Sequence, residues 1–495
     1  MTERRPPNIV FVMTDQQRFD TIAAAGFDYM DTPNLDRMAR EGVLFSHMYV
    51  TSPSCAPSRA SLFTGLYPHT NGVFRNDENW THSWVGRMAE AGYHCVNIGK
   101  MHTSAFEDSF GFHERHVVEN KDRDTPRLPF YLDNWDKALW TRGYEKPSRV
   151  TYRRRADYRE RLGAFIWELP ADLHPDNFVP QMACMWLDRY PTDEPFFLQI
   201  GIPGPHPPYD PTQDYVDRYA GRDLPMPIRD RAAMAAEPEA LRALREQHLK
   251  VDHDAVVHLA DPGEAQLRRQ REHYFANVSM IDTQMGNLIE ALERRGVLDD
   301  TIVIFTSDHG DCLGDHGHSQ KWTMYEQSVR VPAIVWAPGR IEGGRTVGDL
   351  VSLFDFAPTI LDLGGVTPPR WMEARSLAPY LAGDAVEPRS HIFAEHAGDR
   401  ILSGTEFMTM VRDERWKLVH FVDSDEGQLF DLESDPHEIH DRWNDPECGT
   451  IRQRLKDAIL AWRIRSSVTT QGWTEALDRG TGRTPASNRG RRRDG

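Results

Sequence analysis

Short, continuous apolar runs that alternate with longer helical patterns constrain the fold of this chain more than any other feature. The runs lack the polar alternation of a half-exposed strand, which is typical of strands buried on both faces of a parallel sheet. They are residues 8–15, 94–99, 196–202, 301–308 and 331–338. Strands that alternate with helices predict an α/β fold, with a mostly parallel central sheet flanked by helices.

Two of the helical patterns carry recognisable start and stop signals. In segment 32–42, Thr32 is the predicted N-cap, Pro33 stands in the first turn and Gly42 ends the helix. Segment 264–296 carries an apolar stripe and stops at Gly296. These segments are predicted to cover the sheet.

The chain is too long, at 495 residues, for one ordinary hydrophobic core, and its sequence pattern changes after about residue 385. Residues 406–436 alternate like an antiparallel meander, and residues 450–465 predict a closing helix. The predicted units are a catalytic α/β domain over 1–385, with an insertion at about 120–190, a smaller C-terminal α+β subdomain with an antiparallel sheet over 386–480, and a flexible tail over 481–495.

Composition and charge exclude several classes of protein. A formal net charge of −17 argues against a general nucleic-acid binder. No apolar run approaches the ~20 residues that span a bilayer, and the N-terminus lacks the features of a signal peptide. Five cysteines without a C-x-x-C spacing argue against a disulfide framework or a zinc–thiolate site. We expect a cytoplasmic protein without nucleic-acid or membrane partners, and a homo-oligomer remains open.

Three of the predicted strands end in residues that are suited to chemistry. They are Asp15 with Gln16, Lys100 with His102, and Asp308 with His309. Ligands of open α/β sheets gather at the carboxyl ends of the strands. Carboxylate and carboxamide oxygens suit hard divalent cations, and imidazole suits Mn²⁺ or a similar ion. Each acid alone also fits a helix cap or a loop, but the two pairs together indicate a metal site.

Cys55 stands at the start of a predicted helix, in the stretch SPSCAPSRASLFTG (52–65). A helix N-terminus carries roughly half a positive charge and unpaired N–H groups, so it favours an anion or a thiolate. The alternative is a small, buried apolar residue without a chemical role. The neighbouring Pro57 and Arg59 favour the chemical role without deciding it.

Further cationic side chains follow predicted strands or lie in rigid loops. His206 lies in the proline-bounded loop PGPHPPYDP (203–211), and Lys321 follows a glycine- and histidine-rich loop. Lone lysines are usually solvated, but a lysine in a strand-end loop beside apolar sequence has reason to face an anion. His69, His316 and His318 are predicted to be structural or hydrogen-bonding residues rather than metal ligands.

Together these segments resemble the sulfatase family, within the alkaline phosphatase-like superfamily. CAPSR (55–59) is similar to the family's C-x-P-S-R signature, which directs oxidation of the cysteine to formylglycine. The similarity covers nearly the whole chain in the family's order. It runs through NIVFVMTDQ, TPNLDRMAREGVLF, GYHCVNIGKMH, PHPPY, TIVIFTSDHGDCLGDHG and LFDLESDP.

The resemblance implies a role for each candidate residue. Cys55 would be the formylglycine nucleophile and a metal ligand, and Arg59 would pair with it and steady the metal site. The other implied metal ligands are Asp15, Gln16, Asp308 and His309. The implied groups around the sulfate and the leaving oxygen are Lys100, His102, His206 and Lys321. One divalent ion is implied, calcium first with manganese or magnesium as alternatives, and a formylglycine-generating enzyme would be the maturation partner.

Two positions depart from the pattern of many arylsulfatases, which have a second Asp in place of Gln16 and an Asn in place of His309. The Gln/His pairing resembles choline sulfatases and phosphonate monoester hydrolases, and it keeps manganese open. Lys100 and His102 resemble the sulfatase pattern. We therefore expect hydrolysis of sulfate monoesters to an alcohol or phenol and inorganic sulfate. A phosphonate monoester or phosphodiester hydrolase, a plain cysteine hydrolase and a non-catalytic anion-binding relative are the alternatives.

The expected mechanism depends on the oxidised side chain. A thiol that attacked sulfur would leave a stable thiosulfate ester, whereas an aldehyde hydrates to a geminal diol. One hydroxyl attacks the sulfur, and loss of the second hydroxyl's proton re-forms the carbonyl and expels sulfate. His206 is the candidate general acid, and His102 would manage the diol hydroxyls.

Overall fold

A mixed sheet of eight strands forms the centre of the molecule. A computed structural model describes residues 5–103, 106, 108–119, 132–191 and 194–473. The described strands of the whole chain, which include those of two smaller sheets, are β1 (Asn8–Asp15), β2 (Val43–Phe45), β3 (Met48–Tyr49), β4 (His94–Gly99), β5 (Glu114–Val117), β6 (Phe196–Pro205), β7 (Thr301–Ser307), β8 (Arg330–Val331), β9 (Ala333–Trp336), β10 (Arg345–Val347), β11 (Val351–Ser352), β12 (Ile392–Ala397), β13 (Phe407–Arg412), β14 (Trp416–Phe421) and β15 (Gly427–Asp431). The order in the central sheet is β10-β2-β9-β7-β1-β6-β4-β5.

Helices cover both faces of this sheet. The described α-helices of the whole chain are α1 (Pro33–Glu41), α2 (Cys55–Thr64), α3 (Pro68–Asn71), α4 (Val85–Glu90), α5 (Asn134–Thr141), α6 (Arg149–Arg153), α7 (Tyr158–Arg161), α8 (Pro175–Arg189), α9 (Gln213–Asp217), α10 (Arg231–Ala236), α11 (Glu239–Lys250), α12 (Glu264–Arg295), α13 (Glu326–Val329), α14 (Phe356–Leu363), α15 (Ala378–Ala382) and α16 (Gly449–Thr469). The predicted limits of these helices are confirmed: Thr32 precedes α1, Gly42 follows it, and Gly296 ends α12 in a left-handed conformation. The Thr32 side chain caps no backbone N–H of α1 and instead donates to Asp36 Oδ1 at 3.1 Å.

The central sheet is mostly parallel, as the apolar runs predict. Every neighbouring pair is parallel except β9 with β2 and β9 with β7. The run 331–338 therefore contains an antiparallel strand, which its uniform apolar character did not reveal. An antiparallel neighbour inside the sheet can be as apolar as a parallel one when both of its faces are buried.

Strand β1 shows why its sequence is apolar without interruption. Ile9, Phe11 and Met13 belong to one buried cluster, whereas Val10 and Val12 belong to another on the opposite face. Successive side chains of a strand point to opposite faces, so both faces of β1 are covered. Full burial of each such side chain contributes about 1.5–3 kcal/mol, and the strand end is thereby held firmly at the edge of the sheet.

The C-terminal part forms a separate antiparallel sheet in the order β12-β13-β14-β15. The predicted meander and closing helix are confirmed, and α16 extends to Thr469, four residues beyond the expected end. Trp462 of α16 stacks on Phe393 of β12, with ring centroids 4.5 Å apart. This contact ties the helix to the small sheet.

The predicted domain limits remain predictions. Residues 120–131 of the predicted insertion lie outside the described residues, and so does the predicted tail at 481–495. Helix α8, within the same predicted insertion, packs Val179 and Leu187 into the core on one face of the central sheet. Among the described helices, none combines the length and apolar character needed to cross a membrane.

Candidate active site

Two acids from distant parts of the sequence meet where β1 and β7 end. The strands are parallel neighbours, with Thr14 opposite Ser307, so the residues that follow emerge at the same edge. The backbone N–H of Gln16 donates to Asp308 Oδ1 at 3.0 Å, and Gln16 has a left-handed φ of 71°. This turn brings Asp15 and Asp308 to the same point in space, as predicted from the strand ends.

A buried cluster of potential metal ligands occupies this edge. Ligand atoms of Asp15, Cys55, Asp308 and His309 all lie within 4.8 Å of one another. All four residues are almost completely inaccessible to solvent. Uncompensated carboxylates in such a place would cost several kcal/mol each, so positive charge must be close by.

Cys55 is the first residue of α2 and reaches the cluster from the helix N-terminus. Its Sγ lies 3.0 Å from His309 Nε2 and 3.5 Å from Asp15 Oδ1, and it accepts a hydrogen bond from Lys321 Nζ at 2.9 Å. Burial and Asp15 raise the pKa of the thiol, but Lys321, Lys100 and His309 outweigh them and hold it below its usual value. The expected position of Cys55 at a helix start is confirmed.

Asn76 completes the N-terminal end of α2, and no sequence pattern pointed to it. Its Oδ1 accepts hydrogen bonds from Ser54 Oγ at 2.9 Å and from the backbone N–H of Ala56 at 3.0 Å. One of the otherwise unpaired amide groups of the helix start is thereby satisfied. The first turn that carries Cys55 is therefore fixed from outside the helix.

Arg59 lies one helical turn after Cys55 and faces the same acids. Its Nε donates to Asp308 Oδ2 at 2.7 Å, and Nη2 lies 3.7 Å from Asp15 Oδ2. Nη1 donates to the backbone carbonyl of Lys100 at 2.9 Å. Arg59 thus joins the ends of β1, β4 and β7 in one buried hydrogen-bond network.

Lys100 and Lys321 supply the remaining positive charge. Lys100 Nζ contacts Asp15 Oδ2, and Lys321 Nζ donates to Gln16 Oε1 at 3.0 Å. Burial raises the pKa of Asp15, but Lys100, and after it His206, Lys321 and Arg59, hold it well below its usual range. Three buried cations, Arg59, Lys100 and Lys321, therefore offset the buried acids of the site.

Two glycines bring Lys100 to this position. Gly99 has a φ of +97°, which a residue with a side chain rarely adopts. A Cβ on Gly201 of β6 would lie 2.0 Å from the carbonyl oxygen of Lys100. The backbone N–H of Lys100 instead donates to the Gly201 carbonyl at 2.8 Å. The close approach of β4 and β6 thus sets the direction of the Lys100 side chain.

The donor set fits a divalent cation. Two buried carboxylates and the imidazole of His309 converge, and the side-chain amide of Gln16 is oriented by Asp311, whose Oδ2 accepts from Nε2 at 2.8 Å. Tyr209 donates to the same Asp311 oxygen at 2.6 Å. Gln16 Oε1 is thereby left to accept from Lys321. Asp311 was not among the predicted residues, although it follows the Asp308-His309 pair closely in the sequence.

His206 lies in the loop after β6, at the edge of the cluster. Its Nδ1 is 2.8 Å from the carbonyl oxygen of Pro207, and its Nε2 is 3.9 Å from Asp254 Oδ2. Burial first, and Lys321 second, hold the pKa of His206 well below its usual value, whereas Asp15 and Asp254 raise it. Asp254 was not predicted, because it lies in a segment without a recognisable motif.

His102 follows Lys100 in the loop after β4. It is buried, has a φ of 59°, and its backbone N–H donates to Glu119 Oε2 at 2.9 Å. The predicted residues that direct contacts unite are Asp15, Gln16, Cys55, Arg59, Lys100, Asp308, His309 and Lys321. The role of the His102 imidazole remains a prediction.

The histidines that were expected to be structural lie in other interactions. His318 Nε2 is 3.0 Å from Glu237 Oε1, and the ring of His316 stacks on Tyr325 at 3.8 Å between centroids. His69 contacts Glu395 and Ser466 at 2.7 and 2.6 Å. None of the three belongs to the cluster of ligand atoms found among the described residues.

Comparison with known proteins places the chain in a family. The sulfatase family model matches residues 7–366, and the model for the C-terminal part of N-sulphoglucosamine sulphohydrolase matches residues 314–465. An arylsulfatase of Clostridium perfringens is 31% identical over 471 residues, which are 92% of this chain and 94% of the relative. A choline-sulfatase of Rhizobium meliloti is 30% identical, and the match covers 92% of this chain and 86% of the relative.

A solved structure gives the same result for the fold. The phosphonate monoester hydrolase of Agrobacterium radiobacter superposes with a TM-score of 0.79 at 26% identity, over 93% of this chain and 96% of that protein. The expected resemblance to the alkaline phosphatase-like superfamily is confirmed. The chain belongs to the sulfatase family of sulfuric ester hydrolases.

Proposed function

We propose that the protein hydrolyses sulfate monoesters through a formylglycine at position 55 and one divalent metal ion. The observation that carries the proposal is the position of Cys55. It begins a helix inside a buried ligand cluster and contacts Lys321, with Lys100 and Arg59 bound to the neighbouring acids. A structural cysteine has no need of these partners, whereas a nucleophile that attacks an anion does.

Asp15, Gln16, Asp308 and His309 would hold the ion, together with the side chain at position 55. When it is bound, the ion neutralises sulfate charge and lowers the pKa of a nearby hydroxyl. Oxygen-rich ligands favour calcium, and the imidazole of His309 keeps manganese, and after it magnesium, as alternatives. Arg59 orients Asp308 through its Nε, so it holds a ligand in place rather than contacting the ion.

Lys100, Lys321 and Arg59 would oppose the charge of the sulfuryl oxygens as the bond to the leaving group lengthens. Preorganised cations in a site without bulk water are usually the largest catalytic term. His206 would donate a proton to the leaving oxygen, and His102 would hold a proton of the nucleophile. A formylglycine-generating enzyme would be required during maturation, since the aldehyde must be made from the thiol.

A second candidate function is the hydrolysis of phosphonate monoesters or phosphodiesters. The similarity to the Agrobacterium radiobacter enzyme favours it, and so does the Gln16 and His309 pairing. The arylsulfatase and choline-sulfatase relatives argue against it, and so do Lys100 and His102, which resemble the sulfatase pattern. Among sulfate esters, we expect those of phenols and sugars to be better substrates than choline-O-sulfate.

Paired substrates distinguish the two functions. Metal-replete protein with a verified aldehyde is assayed on 4-nitrophenyl sulfate and on a 4-nitrophenyl phosphonate monoester, and the two kcat/KM values are compared. Sulfatase function predicts a higher value for the sulfate. A large preference for the phosphonate would assign the second function, and no turnover of either ester would favour a non-catalytic anion-binding protein.

A further inference from the structure

Asp254 places a carboxylate beside His206 from a segment that carries no motif. Its Oδ2 lies 3.9 Å from His206 Nε2, and both residues are buried. The segment is also tied to the residue before Lys321, because Gln320 Nε2 donates to the backbone carbonyl of His253 at 3.0 Å. Asp254 is therefore part of the wall of the active site.

The orientation of His206 makes this contact chemically useful. Nδ1 lies 2.8 Å from the carbonyl oxygen of Pro207, which can only accept, so Nδ1 carries a hydrogen there. Nε2 is left as the ring atom that faces Asp254. A proton on Nε2 makes the ring an imidazolium, and a nearby carboxylate stabilises that form.

The other charged groups that act on His206 do not replace Asp254. Lys321 and Lys100 disfavour an imidazolium, and Asp15 favours it. Asp15, however, already contacts Lys100 and lies close to Arg59. Asp254 is thus an acid outside the ligand cluster whose charge acts on His206, and it also acts on Lys321.

The structure holds Asp254 in place at some cost. Asp254 and Ala255 have φ values of 53° and 59°, left-handed conformations that residues other than glycine rarely adopt. Arg149 of α6 contacts the other carboxylate oxygen, Asp254 Oδ1. The carboxylate is therefore fixed between the guanidinium of Arg149 and the imidazole of His206.

We propose that Asp254 is a positioning residue that holds His206 as the proton donor to the leaving group. This role rests on the proposed sulfatase function. As sulfur bonds to the attacking oxygen supplied at position 55, the bond from sulfur to the ester oxygen breaks. The electron pair of the broken bond stays on the ester oxygen, which takes the proton from Nε2. His206 becomes neutral with its hydrogen still on Nδ1, and solvent returns the proton after the alcohol has left.

The dependence on the leaving group tests this role. Asp254→Asn removes the charge, and asparagine tolerates the left-handed backbone as aspartate does. We expect kcat/KM to fall about 10–100-fold for phenyl and alkyl sulfates, whose leaving groups need a proton, but less than about threefold for 4-nitrophenyl sulfate. The effect should lie in kcat, because the role of Asp254 is exerted through His206. Asp252→Asn is the matched control, because Asp252 is a partly exposed neighbour whose carboxylate lies 4.0 Å from Arg159. It should leave kcat/KM unchanged for both kinds of ester.

The pH profile gives a second readout. A general acid works in its protonated form, and loss of the carboxylate lowers the pKa of His206, so the alkaline decline of kcat/KM should begin at lower pH in Asp254→Asn. In a His206→Gln background, Asp254→Asn should add no further dependence on the leaving group. Arg149→Gln leaves the Asp254 side chain in place, so we expect a smaller loss of kcat/KM. The loss should again be larger for phenyl and alkyl sulfates than for 4-nitrophenyl sulfate, which provides a second variant for the test.

Two outcomes with an impaired Asp254→Asn variant would overturn the inference. Equal losses on nitrophenyl and alkyl sulfates, which leave the dependence on the leaving group unchanged, would make Asp254 a purely structural residue. A full effect of Asp254→Asn in the His206→Gln background would show that it acts elsewhere. If the wild-type protein hydrolyses none of these sulfates, the proposed function itself fails. If the wild-type protein is active and the Asp254 variants have the same activity, only the role of Asp254 fails.

Discussion

At the scale of single residues, buried acids and buried cations of the site lie in contact and balance each other's charge. Lys321 contacts Gln16 and Cys55, so it links the amide of the metal site to the nucleophile position. Lys321 is buried, and it offsets the negative charge of Asp15 and Cys55 in addition to facing the place of an anionic substrate. Because removal of one partner of a buried charge pair destabilises a fold, turnover of a Lys321 variant is compared at equal amounts of folded protein.

Lys321→Ala should lower kcat/KM for sulfate esters by about 10²–10³, because a preorganised charge near the sulfuryl oxygens is lost. Steady-state assays with the same aldehyde fraction in each protein measure the effect. Lys250→Ala is the control, since that lysine is 70% exposed and pairs with Glu246 only at 3.7 Å. A loss below about threefold in Lys321→Ala would mean that Lys321 does not act on the substrate.

Divalent ions should stabilise the folded protein, because the cluster of Asp15, Cys55, Asp308 and His309 exists only in the folded state. An ion at one hundred times its Kd contributes about 2.7 kcal/mol, which a rise in Tm reports. Asp308→Asn should remove most of this rise, and His309→Asn should shift the preference from manganese toward calcium. Asp261→Asn, whose side chain is 83% exposed, should keep the full rise. An unaltered rise in Asp308→Asn would place the ion elsewhere.

At the scale of elements, a buried charge network joins the small C-terminal sheet to the catalytic part. Lys417 of β14 contacts Glu438 at 2.6 Å and Glu326 of α13 at 3.1 Å, and the backbone N–H of Glu326 donates to Glu438 at 2.8 Å. Burial, opposed by Lys417, raises the pKa of Glu438 to about 7. The junction between the two sheets is therefore sensitive to pH.

Stability should fall as the pH rises between about 4.5 and about 7, the ordinary and the folded pKa of Glu438. In this window the folded state holds a proton that the unfolded state has released, so unfolding becomes easier as pH increases. Thermal unfolding across this range should show a flatter pH dependence in Glu438→Gln than in the wild type. Glu433→Gln, 72% exposed, should behave like the wild type. Identical slopes in all three proteins would contradict the assignment.

At the scale of the whole molecule, short-range sequence patterns predicted the parallel sheet and most residues of the site. Asp15, Lys100 and Asp308 were predictable because each ends or directly follows an apolar strand, and parallel strands deliver their ends to one edge. The antiparallel direction of β9 was not predictable, because burial on both faces gives the same apolar sequence in either direction. The short strands β2 and β10 have too few residues to show a period.

The residues that sequence analysis missed share another property. Asn76, Asp254 and Asp311 contact functional groups through the fold, and none of them ends or directly follows a predicted strand, although Asp311 lies inside the quoted stretch TIVIFTSDHGDCLGDHG. Their roles depend on contacts between segments that are far apart in the chain, such as the approach of Asp254 to His206, and no local pattern predicts such a contact. Supporting residues of this kind become visible only when the side chains are placed.

An oxidised side chain at position 55 is the proposed source of the attacking oxygen, and the other proposed roles in the site depend on it. Mass spectrometry of the peptide spanning residues 50–75, on samples with graded aldehyde content, tests this most directly when turnover is measured on the same samples. We predict an aldehyde at position 55 and a kcat for sulfate esters that rises in proportion to its fraction. Full turnover by protein that contains only the thiol would contradict the account.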